Sequence, residues 1–155
     1  MENKNIENIY ELTPLQQGML FHQLYTPEST VYNMQLSFIL DGKLDIDVLK
    51  QSWSKLVDRH AVLRTVFAWD RMEKPYQIVH KHAKFDITHH NMDSVPEKEL
   101  ERQIQLFSDK QRTTHFDLTK LFLMRLAVIK VDKNKHHLVW TFHHIILEGW
   151  STGLL

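Results

Sequence analysis

Hydrophobic positions along the chain change their spacing several times, and each change predicts an element. From Leu12 to Tyr25 the apolar residues follow Thr13-Pro14-Leu15-Gln16. Thr13 can cap, Pro14 suits the first helical turn and Gln16 completes a capping box, so a helix is expected up to about Tyr25, before Pro27. Val31 to Leu40 is rich in β-branched, aromatic and aliphatic residues and ends at Asp41-Gly42, as a strand would. Ile46, Leu49, Trp53, Leu56 and Val57 recur at steps of three and four and predict a second helix ending near His60. Asp45 and Asp47 stand where negative charge favours its start.

Strands are expected over 63–69 and 76–79, with a weaker one over 85–90. Ser94-Val95-Pro96-Glu97 has the form of a second capping box, ahead of a helix with Leu100, Ile104 and Phe107 on its buried stripe. The run from Leu121 to Val131, the polar turn Asp132-Lys133-Asn134-Lys135 and the return from His136 to Ile146 read as an antiparallel hairpin. Strands and helices mixed in this way imply a layered α/β sandwich. Glu148-Gly149-Trp150-Ser151 resembles a strand-to-helix junction with Ser151 as its cap. Only Thr152 to Leu155 follow, so the chain is expected to be a fragment that stops one turn into a helix.

Composition then narrows the functions. The 155 residues are 43% hydrophobic and 25% charged, with 19 Lys+Arg against 19 Asp+Glu. A zero formal charge lacks the basic excess of a nucleic-acid binder. No apolar run approaches the ~20 residues of a membrane span, and the polar start from Met1 to Tyr10 is no secretory signal, so a cytoplasmic domain is expected. Cysteine is absent, which removes disulfides, thiolate nucleophiles and cysteine metal sites.

There are 11 histidines, six of them in adjacent pairs. His143-His144 ends an apolar strand just before Glu148 and Gly149. Neighbours on a strand point to opposite faces, so one imidazole can be reactive and the other structural. Imidazole titrates near neutrality and can take a proton from an amine or a hydroxyl. His136-His137, His80, His82 and His89-His90 read as strand starts and strand ends. With no HExxH spacing, a catalytic metal is not expected. Arg64, set between Leu63 and Val66-Phe67, is either a solvated edge residue or a partly buried charge paired with Glu148.

Three segments together carry a family resemblance. His143-His144-Ile145-Ile146-Leu147-Glu148-Gly149 resembles the HHxxxDG motif of the condensation domains of nonribosomal peptide synthetases. Leu12 to His22 resembles the family's opening motif, and Arg59-His60 through Leu63-Arg64-Thr65-Val66-Phe67 its RHxxLRTxF motif. Phe116-Asp117-Leu118 and Leu123-Met124-Arg125 fit the run that precedes the last hairpin.

The resemblance implies a chloramphenicol-acetyltransferase-like two-layer α/β sandwich, of which this chain is the N-terminal lobe. Residues 12–155 would form that lobe, and residues 1–11 a linker or docking segment. It implies amide formation between a carrier-bound acyl or peptidyl thioester and an aminoacyl thioester. Both substrates would arrive on the 4'-phosphopantetheine arms of upstream and downstream carrier proteins, beside a C-terminal lobe and an adenylation domain. No cofactor would be bound directly. By position His144 takes the active-centre role, His143 a structural one, Gly149 permits close backbone approach, and Arg64 pairs with the motif's acid. Trp150 would support the loop. Glu148 departs from the family's aspartate by one methylene. Two further readings stay open: a non-catalytic docking half-domain, and another HHxxxDG acyltransferase using acyl-coenzyme A. An epimerization domain fits the opening motif less well, and a heterocyclizing domain would replace the histidines.

Overall fold

The computed structural model describes residues 5–153. Among them twelve elements follow in the order β1 (Ile6–Glu11), α1 (Pro14–Tyr25), β2 (Asn33–Asp41), α2 (Ile46–Arg59), a 3-10 turn (Ala61–Arg64), β3 (Thr65–Ala68), β4 (Tyr76–His80), β5 (Thr88–Asn91), α3 (Glu97–Thr113), β6 (Met124–Asp132), β7 (Lys135–His143) and α4 (Gly149–Thr152). The strands form a three-stranded sheet, β1-β4-β3, and a four-stranded sheet, β2-β7-β6-β5. All neighbours are antiparallel except β5 and β6, which run parallel across the α3 crossover.

The larger sheet explains the longest apolar run. β6 and β7 are its central strands, and both of their faces are covered. On one face Met124, Leu126, Val128, Leu138, Trp140 and Phe142 join the main core, which also receives Met19 and Leu20 of α1 and Val57 of α2. Trp53 of α2 meets Trp140 edge-on at 5.3 Å between ring centroids. On the other face Ala127, Ile129 and Val139 pack under Ile104 and Phe107 of α3.

The expected elements recur with four corrections. First, residues 6–11 are not a linker. Ile6–Glu11 is an edge strand paired with β4, while Met1–Lys4 lie outside the described residues. Its side chains are almost all exposed, so no apolar period announced it. Second, Leu63 and Arg64 belong to the 3-10 turn, and β3 starts at Thr65. Third, the Ser94–Glu97 box does not form; Pro96 stands at the N-cap of α3 without a side-chain bond. Fourth, Ser151 lies inside α4 rather than capping it, and its amide donates to the Glu148 carbonyl at 3.0 Å. The remainder of the expected C-terminal helix, Leu154 and Leu155, lies outside the described residues.

Candidate active site

The chain leaves β7 at His143 and turns through His144–Leu147 before α4. Backbone bonds hold both ends of the exit: His143 N–H donates to Leu123 O and His144 N–H to Tyr32 O, each at 2.8 Å. The turn itself is buried at Ile145, Ile146 and Leu147.

The two histidines do separate, His143 ending β7 in the core and His144 opening the turn. His143 is 2% exposed and packs between Tyr32 and Phe116. Its Nδ1 accepts the Ile145 N–H at 3.1 Å, so the neutral ring carries its proton on Nε2. That Nε2 has no hydrogen-bond partner among the described residues. Burial, with the neighbouring His144, pushes the pKa of His143 down to about 4. His143 is therefore neutral at physiological pH.

His144 is half-buried and oriented the other way round. A carbonyl oxygen can only accept, so the 2.8 Å contact between His144 Nδ1 and Leu147 O fixes the proton on Nδ1. In the neutral ring Nε2 then carries the lone pair. The residue borders a cavity of about 300 Å³, lined also by Thr13, Leu15, Gln16 and Met19 of the α1 start and by Ile146 and Leu147. A neutral imidazole with its acceptor nitrogen free can receive a proton or orient an amine.

Arg64 is buried, but its partner is not Glu148. Its Nη1 donates to Glu7 Oε2 at 2.6 Å and to the His80 carbonyl. Nε and Nη2 donate to the carbonyls of Val57 and Asp58, each at 3.0 Å. The guanidinium thus closes the C-terminus of α2, where positive charge and N–H donors are both favoured. It also ties β1 and β4 to that helix end. Glu148 is exposed and makes no ion pair among the described residues.

Two other expected supports stand clear of close packing among the described residues. A Cβ built on Gly149 meets nothing within 4 Å, so no described neighbour requires a glycine there. Trp150 is 91% exposed. Among the described residues no three His, Asp or Glu side chains gather as metal ligands, and no helix is long and apolar enough to cross a membrane.

One residue read from the sequence only as a helix cap also reaches the site. Gln16 reaches the turn through Nε2, which donates to the Ile145 carbonyl at 3.2 Å. The readable signal was an amide rather than a carboxylate at the third helical position: only glutamine brings donors beyond the cap. Arg125 lies 3.8 Å over the Phe116 ring and donates to the carbonyls of Gln111, Thr114 and His115 at the end of α3. Burial lowers its pKa to about 10, so it stays charged at neutral pH.

The condensation-domain family model matches residues 6–155. This chain belongs to the condensation-domain family. Relatives among peptide synthetases include tyrocidine synthase 3 of Brevibacillus parabrevis, 40% identical over 154 residues, 99% of this chain and 2% of that protein. Surfactin synthase subunit 2 of Bacillus subtilis (strain 168) is 32% identical over 155 residues, 100% of this chain and 4% of that protein. The chain thus spans a few per cent of the length of these relatives. Among solved structures, the starter condensation domain of rhizomide synthetase superimposes with TM-score 0.83 at 21% identity, covering 96% of this chain and 36% of that one. The first condensation domain of the calcium-dependent antibiotic synthetase, in complex with a substrate analogue, gives 0.84 at 22%, covering 96% and 35%. The fold is chloramphenicol-acetyltransferase-like, and the chain corresponds to about a third of those domains.

Proposed function

We propose that residues 12–155, together with β1, form the histidine-bearing lobe of a site that makes amide bonds in nonribosomal peptide synthesis. The amine nitrogen of an aminoacyl thioester attacks the carbonyl carbon of an acyl or peptidyl thioester. A C–N bond forms, the C–S bond breaks, and the proton lost by the amine nitrogen goes to the departing sulfur, which leaves as a thiol. The observation that supports this is the Nδ1–H bond from His144 to Leu147, which in the neutral ring leaves Nε2 as the acceptor on a residue that lines the cavity. His144 Nε2 accepts a hydrogen bond or a proton from the attacking amine. His143, neutral and buried, supports the turn.

Both thioesters would be carried on 4'-phosphopantetheine arms of upstream and downstream carrier proteins, with an adenylation domain nearby in a cytoplasmic synthetase. The cavity lining suits the end of such an arm, since apolar Leu15 and Met19 alternate with polar Thr13 and Gln16. Because the chain covers about a third of the solved domains, it is expected to give no turnover without the complementing lobe. Single-turnover assays with loaded donor and acceptor carriers test both statements. Amide from the complete domain but not from this chain is expected; no amide from the complete domain would sink the proposal.

A second reading is a docking half-domain without catalysis. The unpaired, exposed Glu148 favours it. The same assay separates the two, because the docking reading predicts carrier binding without product.

A further inference from the structure

We infer that Gln16 is a positioning residue for the His144 turn, an inference that rests on the amide-forming role proposed for His144. Gln16 stands at the third position of α1, where two of its bonds are those of a helix cap. Its backbone N–H donates to Thr13 Oγ1 at 3.3 Å, and its Oε1 accepts the Thr13 N–H at 3.0 Å. A cap needs nothing more. Gln16 does more through the other half of its amide. Nε2 donates to Ile145 O at 3.2 Å, and the amides of Gln16 and Gln77 exchange bonds in both directions at 3.4 Å. Gln77 lies on β4, the middle strand of the smaller sheet, and Ile145 follows β7 of the larger one. One side chain therefore joins the helix start, the small sheet and the histidine turn.

The bond to Ile145 is placed where it matters for His144. The imidazole is oriented by the Leu147 carbonyl, and the peptide that separates the two carbonyls turns about Ile146. Holding the Ile145 carbonyl restricts the two-residue turn, Ile146 and Leu147, that presents the Leu147 carbonyl to the imidazole. Displacement of about 1 Å at a reacting group costs ~100-fold in rate. Gln16 also borders the same cavity as His144, so its anchoring adds no distance between support and site.

Gln16→Glu separates this role from capping. Glutamate at the third position preserves the capping acceptor and places negative charge at a helix start, which is favourable. It removes the Nε2 donor to Ile145 O and to Gln77 Oε1, keeps an acceptor for Gln77 Nε2, and sets a carboxylate against the Ile145 carbonyl. In the complete condensation domain the variant should keep or raise its melting temperature, yet lose about 10-fold or more in the single-turnover rate constant. The acceptor concentration giving half-maximal rate should stay within about 2-fold. Nitrogen NMR of the labelled His144 imidazole in the same domain should show one Nδ1–H tautomer in the wild type and a tautomer mixture in the variant. Thr13→Ala, which weakens the cap alone, should lower the melting temperature and leave the tautomer unchanged. A Gln16→Glu domain with wild-type rate and wild-type imidazole shifts would overturn the inference. If the wild-type domain makes no amide, the functional reading fails, and the imidazole shifts alone decide the role of Gln16.

Discussion

His144 donates its Nδ1 proton to the carbonyl oxygen of Leu147, three residues downstream, at 2.8 Å. This bond determines which nitrogen carries the proton in the neutral ring, and it yields the first prediction. His144→Asn keeps an N–H donor near the Nδ1 position and removes the Nε2 acceptor. In the complete domain it should reduce the single-turnover rate by about 10²–10⁴-fold. Its stability to denaturant should change by less than about 1 kcal/mol. His144→Ala should lose the rate and the turn bond together. A His144→Asn domain that turns over at the wild-type rate would show that Nε2 takes no part.

His143 makes stability depend on pH. Its pKa is about 4 in the fold, lowered by burial and by His144 from an ordinary 6.5. Between these values the unfolded chain binds a proton that the folded chain refuses. The contribution is whole above about pH 6.5 and is lost as pH falls towards 4, amounting to about 3 kcal/mol when complete. His143→Phe should flatten the acid slope in this window. Burial lowers His136 and His137 in the same sense, so the variant keeps part of the slope. Denaturant titrations at several pH values measure the difference, and parallel slopes for the two proteins would refute it.

Arg64 and Glu7 form the ion pair that the sequence motif assigned to Arg64 and Glu148. Arg64→Ala leaves the Val57, Asp58 and His80 carbonyls and a carboxylate without their donor, and should cost about 3–5 kcal/mol. Glu7 is partly exposed, so Glu7→Gln should cost about 1 kcal/mol or less. A double-mutant cycle should find coupling between Arg64 and Glu7 and none between Arg64 and Glu148. Coupling with Glu148 instead would contradict the observed pairing.

Glu148 lines the same cavity as His144, but its exposed carboxylate makes no hydrogen bond or ion pair among the described residues. Glu148→Asp should leave stability within about 0.5 kcal/mol. In the complete domain it should preserve or raise the condensation rate. A clear loss of rate with the melting temperature unchanged would show that the longer acid has its own role.

Removal of residues 1–11 should destabilise the protein rather than trim a tail. β1 gives β4 a second hydrogen-bonded neighbour, supplies Glu7 to Arg64 and pairs Glu11 with Lys74 at 3.0 Å. The shortened protein should melt well below the full chain by circular dichroism. An unchanged melting temperature would restore the linker reading.

The elements that the sequence announced are those built from burial or from local bonds. The α1 capping box is local, and both of its bonds form. The α2 stripe is buried on one side, and the turn between β6 and β7 has the polar residues a hairpin needs. What escaped depends on distant partners. β1 is held by its ladder to β4 and by ion pairs, with exposed side chains, so hydropathy carries no trace of it. The choice of Glu7 over Glu148 for Arg64 follows from β1 crossing near the α2 end, which spacing cannot reveal. The position of His144 at the end of the hairpin was readable from the sequence, but its tautomer depends on one carbonyl in a folded turn. Gln16 looked like a cap because its donor half meets Ile145 only after the two sheets assemble.

β2 pairs along its whole length with β7, so residues 33–41 find their neighbours only at residues 135–143. During synthesis at about 5–20 residues per second, β2 leaves the ribosome long before the strand that must lie beside it. Its partner is inserted between β2 and β6, and the His144 turn hangs from the end of that inserted strand. The histidine turn is therefore among the last parts of this lobe to take shape, and any chaperone that shields the waiting edge of β2 also governs when the site matures.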